Sequence, residues 1–355
     1  MSSTSKKPLD PWPDRLRNLA TIMVICIHAA APIAHSAGQD YNSHWWWSGN
    51  FWNSLTRPAV PLFVMLSGYL LLSRDYPLPD FLKRRFTRVV IPAIFWMLIY
   101  SFYNFLAHGS PATFTEALKG LVTGPVHYHL WFIYLIIGLY LSYPFLRGWI
   151  RGATHQEFLF FFIMCNFCTW GYKMMAMWLN MPMGIYFELF TNNAGYFVGG
   201  YYLGNFAIFR KDEPLEGFRF YVPRYLPWLL ISLGTFSTMT ASYIINTFFW
   251  KGQPDVYFYD YLTPNVAAGA VGWFLLAKRS FNSSPLLDIE RDFSAASFGI
   301  YFAHVLVMDY FGQLGFWHSM AHPFFVSPIL TIMIAGMTFL AVAVIRVLPG
   351  GDRVT

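Results

Sequence analysis

Charge is scarce in this sequence. Asp, Glu, Lys and Arg make up 12% of its 355 residues, about half the share of an ordinary soluble domain. That shortage excludes a chain whose outer surface faces water throughout. Cysteine is scarcer still, with three residues in all. Two of them, Cys165 and Cys168, lie inside a Phe-rich apolar run, which suits packing better than a disulfide framework or a zinc site. No fixed-period repeat runs through the chain, so the internal symmetry common among transporters is missing. No small-residue cleavage site follows the polar opening MSSTSKKPLDPWPD, and the first apolar segment is expected to be a retained helix rather than a signal peptide. The net charge of +6 does not point to nucleic acid, because the basic residues are scattered between apolar runs.

What the sequence has in abundance is hydrophobic side chains, 56% of the total, and aromatic ones, 20%. Ten apolar runs are long enough to be read as spans: 16–35, 58–73, 89–107, 129–146, 157–180, 184–209, 225–249, 260–277, 295–312 and 324–346. The expected fold is therefore an all-α, polytopic membrane helical bundle of about ten transmembrane helices. Residues 1–15 and 347–355 are expected as polar tails on either side of a transmembrane domain over 16–346. Placing both tails in the cytoplasm gathers all but Arg57, Lys119, Lys173 and Lys251 of the 24 Lys and Arg residues on one side. That imbalance is a positive-inside signal. Small residues recur at Gly195, Gly199, Gly200 and Gly204, a spacing that permits close helix approach. Ser67–Gly68–Tyr69 has no GxSxG context and is likewise expected to be a close-packing point. The segment HSAGQDYNSHWWWSGNFWNS reads as an outer loop, with Trp45, Trp46 and Trp47 as an interfacial anchor or, more sharply, a lip that stacks on sugars.

Polar residues inside the apolar runs narrow the search for chemistry. Arg17 and His28 are eleven residues apart in RLRNLATIMVICIH. Eleven helical steps return to within about 20° of the same face and advance roughly 16 Å. Arg17 would lie at a membrane surface and His28 well inside the hydrocarbon, where an ionisable group is a functional-site hypothesis. His129, His304, Glu188 and Asp309 also fall in or beside apolar runs. A membrane histidine often serves only to bond a neighbouring helix, but two at similar depth beside an aligned arginine suit a general base. Cys26 faces about 160° away from His28 on the helix and is a poor nucleophile candidate. In PDFLKRRFTRVVIP, read as a cytoplasmic loop, Arg85 and Arg88 are three residues apart. Their plain role is a topological anchor or lipid-headgroup contact; their sharper role is a phosphate clamp. With Arg17 they would suit a polyphosphate ligand such as coenzyme A, whose thin arm fits a pore.

These residues resemble a known family. DRLRNLATIMVICIH is similar to the opening signature of the acyltransferase-3 family of integral membrane O-acyltransferases. VPLFVMLSGYLLL, KRRFTRVVIP, HYHLWFIYLIIGLYLSYPFL and SFGIYFAHVLV then resemble later motifs of that family in the same order. Asn18 stands where the family usually has glycine, and Tyr69 where it often has phenylalanine. The length resembles that of stand-alone members without an appended extracytoplasmic domain.

The resemblance implies an O-acetyltransferase of the bacterial inner membrane. Acetyl-CoA would be the donor, and a glycan or lipid-linked sugar the acceptor, with no metal and no permanently bound cofactor. By position it implies His28 as catalytic base with His304 as a second catalytic histidine. It further implies Arg17, Arg85 and Arg88 as the donor-binding cations and His129 and Trp131 as lining residues; Asp14, in the opening signature, and Glu188, by its place near the outer end of an apolar run, are expected to line the site as well. The rival expectation is a transporter or flippase for a polysaccharide or lipid-linked sugar, which ten spans and intramembrane histidines would also suit.

Overall fold

A backbone in hydrocarbon finds no water to bond, so each long apolar run must close its hydrogen bonds within itself. Helices do this almost throughout the computed structural model, which describes residues 10–35, 40–109, 113–172, 174–175, 179, 193–210, 219–249, 256–316 and 320–355. The chain begins with α1 (Trp12–His35), α2 (His44–Thr56) and α3 (Ala59–Leu72). Helix α4 (Leu78–Arg85) passes through a π turn at Phe86–Val90 into α5 (Ile91–His108). After α6 (Phe114–Thr123), a 3-10 turn at Tyr128–Leu130 leads into α7 (Trp131–Ile150). Helix α8 (His155–Asn166) is prolonged by a π turn, Phe167–Gly171. Then come α9 (Ala194–Phe206), α10 (Leu226–Ile244), α11 (Pro264–Ser280), α12 (Asp288–Gln313) and α13 (Pro323–Val347). A two-residue parallel pairing of Ala207–Ile208 with Phe220–Tyr221 is the one sheet among the described residues.

Among the described residues, six stretches are long and apolar enough to cross a membrane: Trp12–His35, His44–Leu72, Leu78–Ala107, Tyr128–Ile150, Leu226–Phe249 and Pro323–Val347. Two of them correct the loop assignments made from sequence. The presumed outer loop before residue 58 is largely α2, whose first turn is capped by Ser43 Oγ accepting from Trp46 N. Its Trp, Asn and Ser content hid a helix, because those side chains turn inward: Trp46, Asn50, Asn53 and Ser54 are all buried. Trp46 is therefore neither an interfacial anchor nor a sugar lip; its Nε1 donates to the Ala34 carbonyl at 3.1 Å. The KRRFTR segment is not a loop either, since it continues α4 through the π turn into α5. Beyond α13, residues 348–355 fold back as a short cap, where the Val354 carbonyl accepts from Trp96 Nε1 at 2.7 Å.

Helix α1 is the hub. Buried residues occur on every side of it, among them Leu16, Ala20, Val24, Ile25, Cys26 and Ala29, as expected of a helix enclosed by others. It packs against α2, α3, α11, α12 and α13. The glycine spacing read from the sequence also has a structural counterpart, because α3 and α9 cross at Gly68 and Gly200. A β-carbon at Gly200 would fall 1.8 Å from the Met65 carbonyl oxygen, and one at Gly68 would fall 1.7 Å from that of Phe197. In lipid, where helices gain little from excluding water, such backbone contact is a main source of association. Cys165 is buried beside Gly195 and unpaired, in keeping with packing.

Gly200→Ala is expected to force α3 and α9 apart, at a cost of about 1–3 kcal/mol or more. It should lower the thermal unfolding temperature of the purified protein, and an unchanged melting curve would contradict the crossing.

Candidate active site

The eleven-residue spacing on α1 survives folding because the helix is unbroken from Trp12 to His35. At its start, Arg17 Nη1 donates to Asp14 Oδ1 at 2.7 Å and to Ser294 Oγ at 2.8 Å. Ser294 Oγ in turn donates to the same Asp14 oxygen at 2.6 Å. Beside this trio, Arg15 pairs with Glu290 at 2.9 Å, and Asn18 Nδ2 donates to the Glu290 carbonyl at 2.8 Å. The first turns of α12 thus hold the first turns of α1, and hydrogen bonds to charged groups make that clamp firm.

Farther along α1, His28 meets two other histidines. Its ring centroid lies 5.3 Å from that of His304 on α12. His304 lies 5.4 Å from His129, which the 3-10 turn before α7 delivers. His304 and His129 are buried, whereas His28 keeps part of its surface accessible deep in the bundle. His304 Nδ1 sits 2.7 Å from the Tyr301 carbonyl and 3.2 Å from that of Ile300. Carbonyls only accept, so Nδ1 carries the proton, and a neutral ring presents Nε2 as a lone pair. That Nε2 is buried with no partner among the described residues, and so is Nε2 of His129. Buried polar atoms normally find partners. An unpartnered Nε2 on His304, in a ring beside His28, suits a site that a substrate completes.

Sequence reasoning missed several members of this cluster. His127 Nδ1 is 3.1 Å from His129 Nδ1, so one ring donates to the other. Burial pushes the His127 imidazole below its usual pKa, with Asp309 opposing the shift. Tyr128 stands edge-on to His28 at 5.2 Å. Tyr301 Oη donates to the His129 carbonyl, and Tyr100 packs against His127 and His129. The HYH triplet was the available signal, with one of its two histidines passed over. Among the described residues no trio of His, Cys, Asp or Glu is placed to hold a metal ion.

The remaining expected residues are more dispersed. Trp131 stacks on Tyr261, 5.6 Å away at 26°. Arg85 is half-buried over the rings of Phe81 and Tyr140, at 5.7 and 5.4 Å, and borders an apolar cavity of about 380 Å³ with Lys83, Phe86 and Ile137. Arg88 is exposed. The π turn between the two widens the helix, and they do not share one environment. No described contact joins either of them to Arg17. Glu188 lies outside the described residues.

With ¹⁵N-histidine labelling, His304 is expected to show the Nδ1–H tautomer in solid-state NMR near neutral pH. An Nε2–H signal would contradict the carbonyl pairing seen here.

No curated protein and no solved structure matches the chain. A family model described as an acyltransferase domain matches residues 10–347, from just before α1 to the end of α13. That coverage takes in the Arg17 clamp and all three clustered histidines. The chain belongs to the acyltransferase-3 family, and it is a membrane acyltransferase.

Proposed function

We propose that this protein is an O-acetyltransferase that moves an acetyl group from cytoplasmic acetyl-CoA to a hydroxyl of an extracytoplasmic or lipid-linked glycan. It would act in a bacterial inner membrane, with about ten spans and both termini in the cytoplasm. The observation that carries this reading is the convergence of His28, His304 and His129 on one helix-enclosed centre, roughly 16 Å along α1 from the Arg17 clamp. A donor gripped at the Arg17 end and an acceptor entering from the other would meet at those rings.

In this mechanism the acceptor hydroxyl lies against His28, which takes its proton as the oxygen attacks the thioester carbon. The C–O bond forms, the C–S bond breaks, and the His28 proton passes to the departing coenzyme A sulfur. His304 shares the proton through its lone pair or, when protonated, stabilises the oxyanion. On the donor side, Arg17 leaves Nε and Nη2 without partners among the described residues, and exposed Arg88 and half-buried Arg85 supply further charge toward phosphates. Asp14 fixes the Arg17 guanidinium, and His129 and Trp131 line the route. Glu188 is a further lining candidate.

His28→Ala is expected to lower transfer of labelled acetyl from acetyl-CoA to glycan by about two to four orders of magnitude. Acetyl-CoA binding should be preserved, and full activity in this variant would remove His28 as the base. Arg88→Ala is expected instead to raise the KM for acetyl-CoA, and by less at high salt because screening already weakens the wild-type contact, with little change in kcat. A fall in kcat alone would place Arg88 elsewhere.

A further inference from the structure

Arg57 is a cation that the mechanism above does not use. It ends α2 just before Pro58, within the apolar stretch His44–Leu72. Its Nε donates to the Tyr259 carbonyl, and its Nη1 reaches Asn53 Oδ1 at 3.4 Å. The rings of Tyr259 and Tyr261 cover the guanidinium, 5.5 and 4.8 Å from Cζ. These partners are all neutral, and Arg57 forms no ion pair among the described residues. The surrounding polar groups are satisfied by one another. Asn53 Nδ2 lies 2.8 Å from His35 Nε2, and Tyr259 Oη donates to Asn50 Oδ1 at 2.7 Å.

A half-buried guanidinium inside a membrane span is costly without a countercharge. Dipoles from Asn53 and one carbonyl orient it but do not neutralise it. With two tyrosine rings against it, Nε bonded and Nη1 reaching Asn53, Nη2 is the guanidinium nitrogen with no partner among the described residues. Donation from such a nitrogen is how a guanidinium grips a carboxylate or phosphate oxygen. Tyr259, against which the guanidinium lies, also packs on His35 at the end of α1, 4.9 Å away, and Tyr261 continues the stack onto Trp131, two residues from His129. An anion held at this edge would therefore bring its neighbouring atoms to the histidine centre. The donor's phosphates belong at the other end of α1, so they are a poor match for this position.

We propose that Arg57 binds an anionic group on the acyl acceptor, either the carboxylate of an acidic sugar or the phosphate of a lipid-linked one. This rests on the acceptor reading given under Proposed function.

The test is equilibrium binding by calorimetry to the full chain in lipid nanodiscs. Two pairs of probes are compared: methyl glucuronide with methyl glucoside, and a short polyprenyl phosphate with its alcohol. At least one anionic probe is expected to bind the wild type roughly tenfold or more tightly than its neutral partner, the order set by one charge-assisted hydrogen bond. Preference within the first pair identifies an acidic sugar, and preference within the second a lipid phosphate. Arg57→Gln should abolish the preference, and Arg57→Lys should keep part of it. Asn53→Asp, which supplies a carboxylate from within, should also abolish it, and covers the case in which Arg57→Gln does not fold.

Equal binding of charged and neutral probes would overturn the proposal, as would a preference that survives both Arg57→Gln and Asn53→Asp. A uniform loss of turnover for all acceptors, with the binding preference unchanged, would overturn it in favour of a role on the thioester oxygen. Acetyl-CoA-dependent transfer is measured on the same samples. Anion preference without any transfer would support the site while counting against acetyl transfer as the reaction.

Discussion

An imidazole in hydrocarbon must be bonded, and that requirement organises the centre of this protein. His304 satisfies one ring nitrogen on the carbonyls of its own helix, at Tyr301 and Ile300. The other nitrogen is buried in a ring that neighbours His28 and His129, and no described group bonds it. A lone pair directed into a shielded space is stable only if its surroundings are rigid enough to keep apolar groups from collapsing onto it. Tyr301 and Tyr100 provide that rigidity by tying the His129 and Phe302 carbonyls to neighbouring elements.

The same logic extends along α1 to the Arg17 end. The Asp14–Arg17–Ser294 bonds and the Arg15–Glu290 pair hold α1 and α12 in register. Because His28 is on α1 and His304 on α12, this clamp sets the separation of the two rings. Asp14, which accepts from both Arg17 and Ser294, thus helps to position α1 against α12. The close crossing of α3 and α9 at Gly68 and Gly200 works alongside it, since α3 is one of the walls against which α1 is seated.

Polar residues with a regular spacing were easy to find in the sequence, and polar residues folded inward from an apparent loop were not. The Arg17–His28 stripe follows from helical periodicity alone, because both residues belong to one unbroken helix. Helix α2 was hidden because Asn50, Asn53 and Ser54 read as solvent-facing, whereas they bond inward to Tyr259, His35 and one another. The Arg85/Arg88 pair was misplaced for a related reason: charge density suggested a loop, while the backbone continues through a π turn. His127 was missed because a residue just outside an apolar run carries no periodic signal of its own.

Composition and periodicity by themselves determined that this chain is a helical membrane protein, that α1 carries a cation and an imidazole on one face, and that glycines mark a close helix contact. Each of these depends on residues near one another in sequence, where helix geometry sets the distances. Tertiary structure decided which histidines meet, that the Trp46 region is core, and that Arg57 stands among neutral partners. Those pairings join residues as far apart as 28 and 304. They are set by how helices pack in three dimensions, which no local spacing encodes.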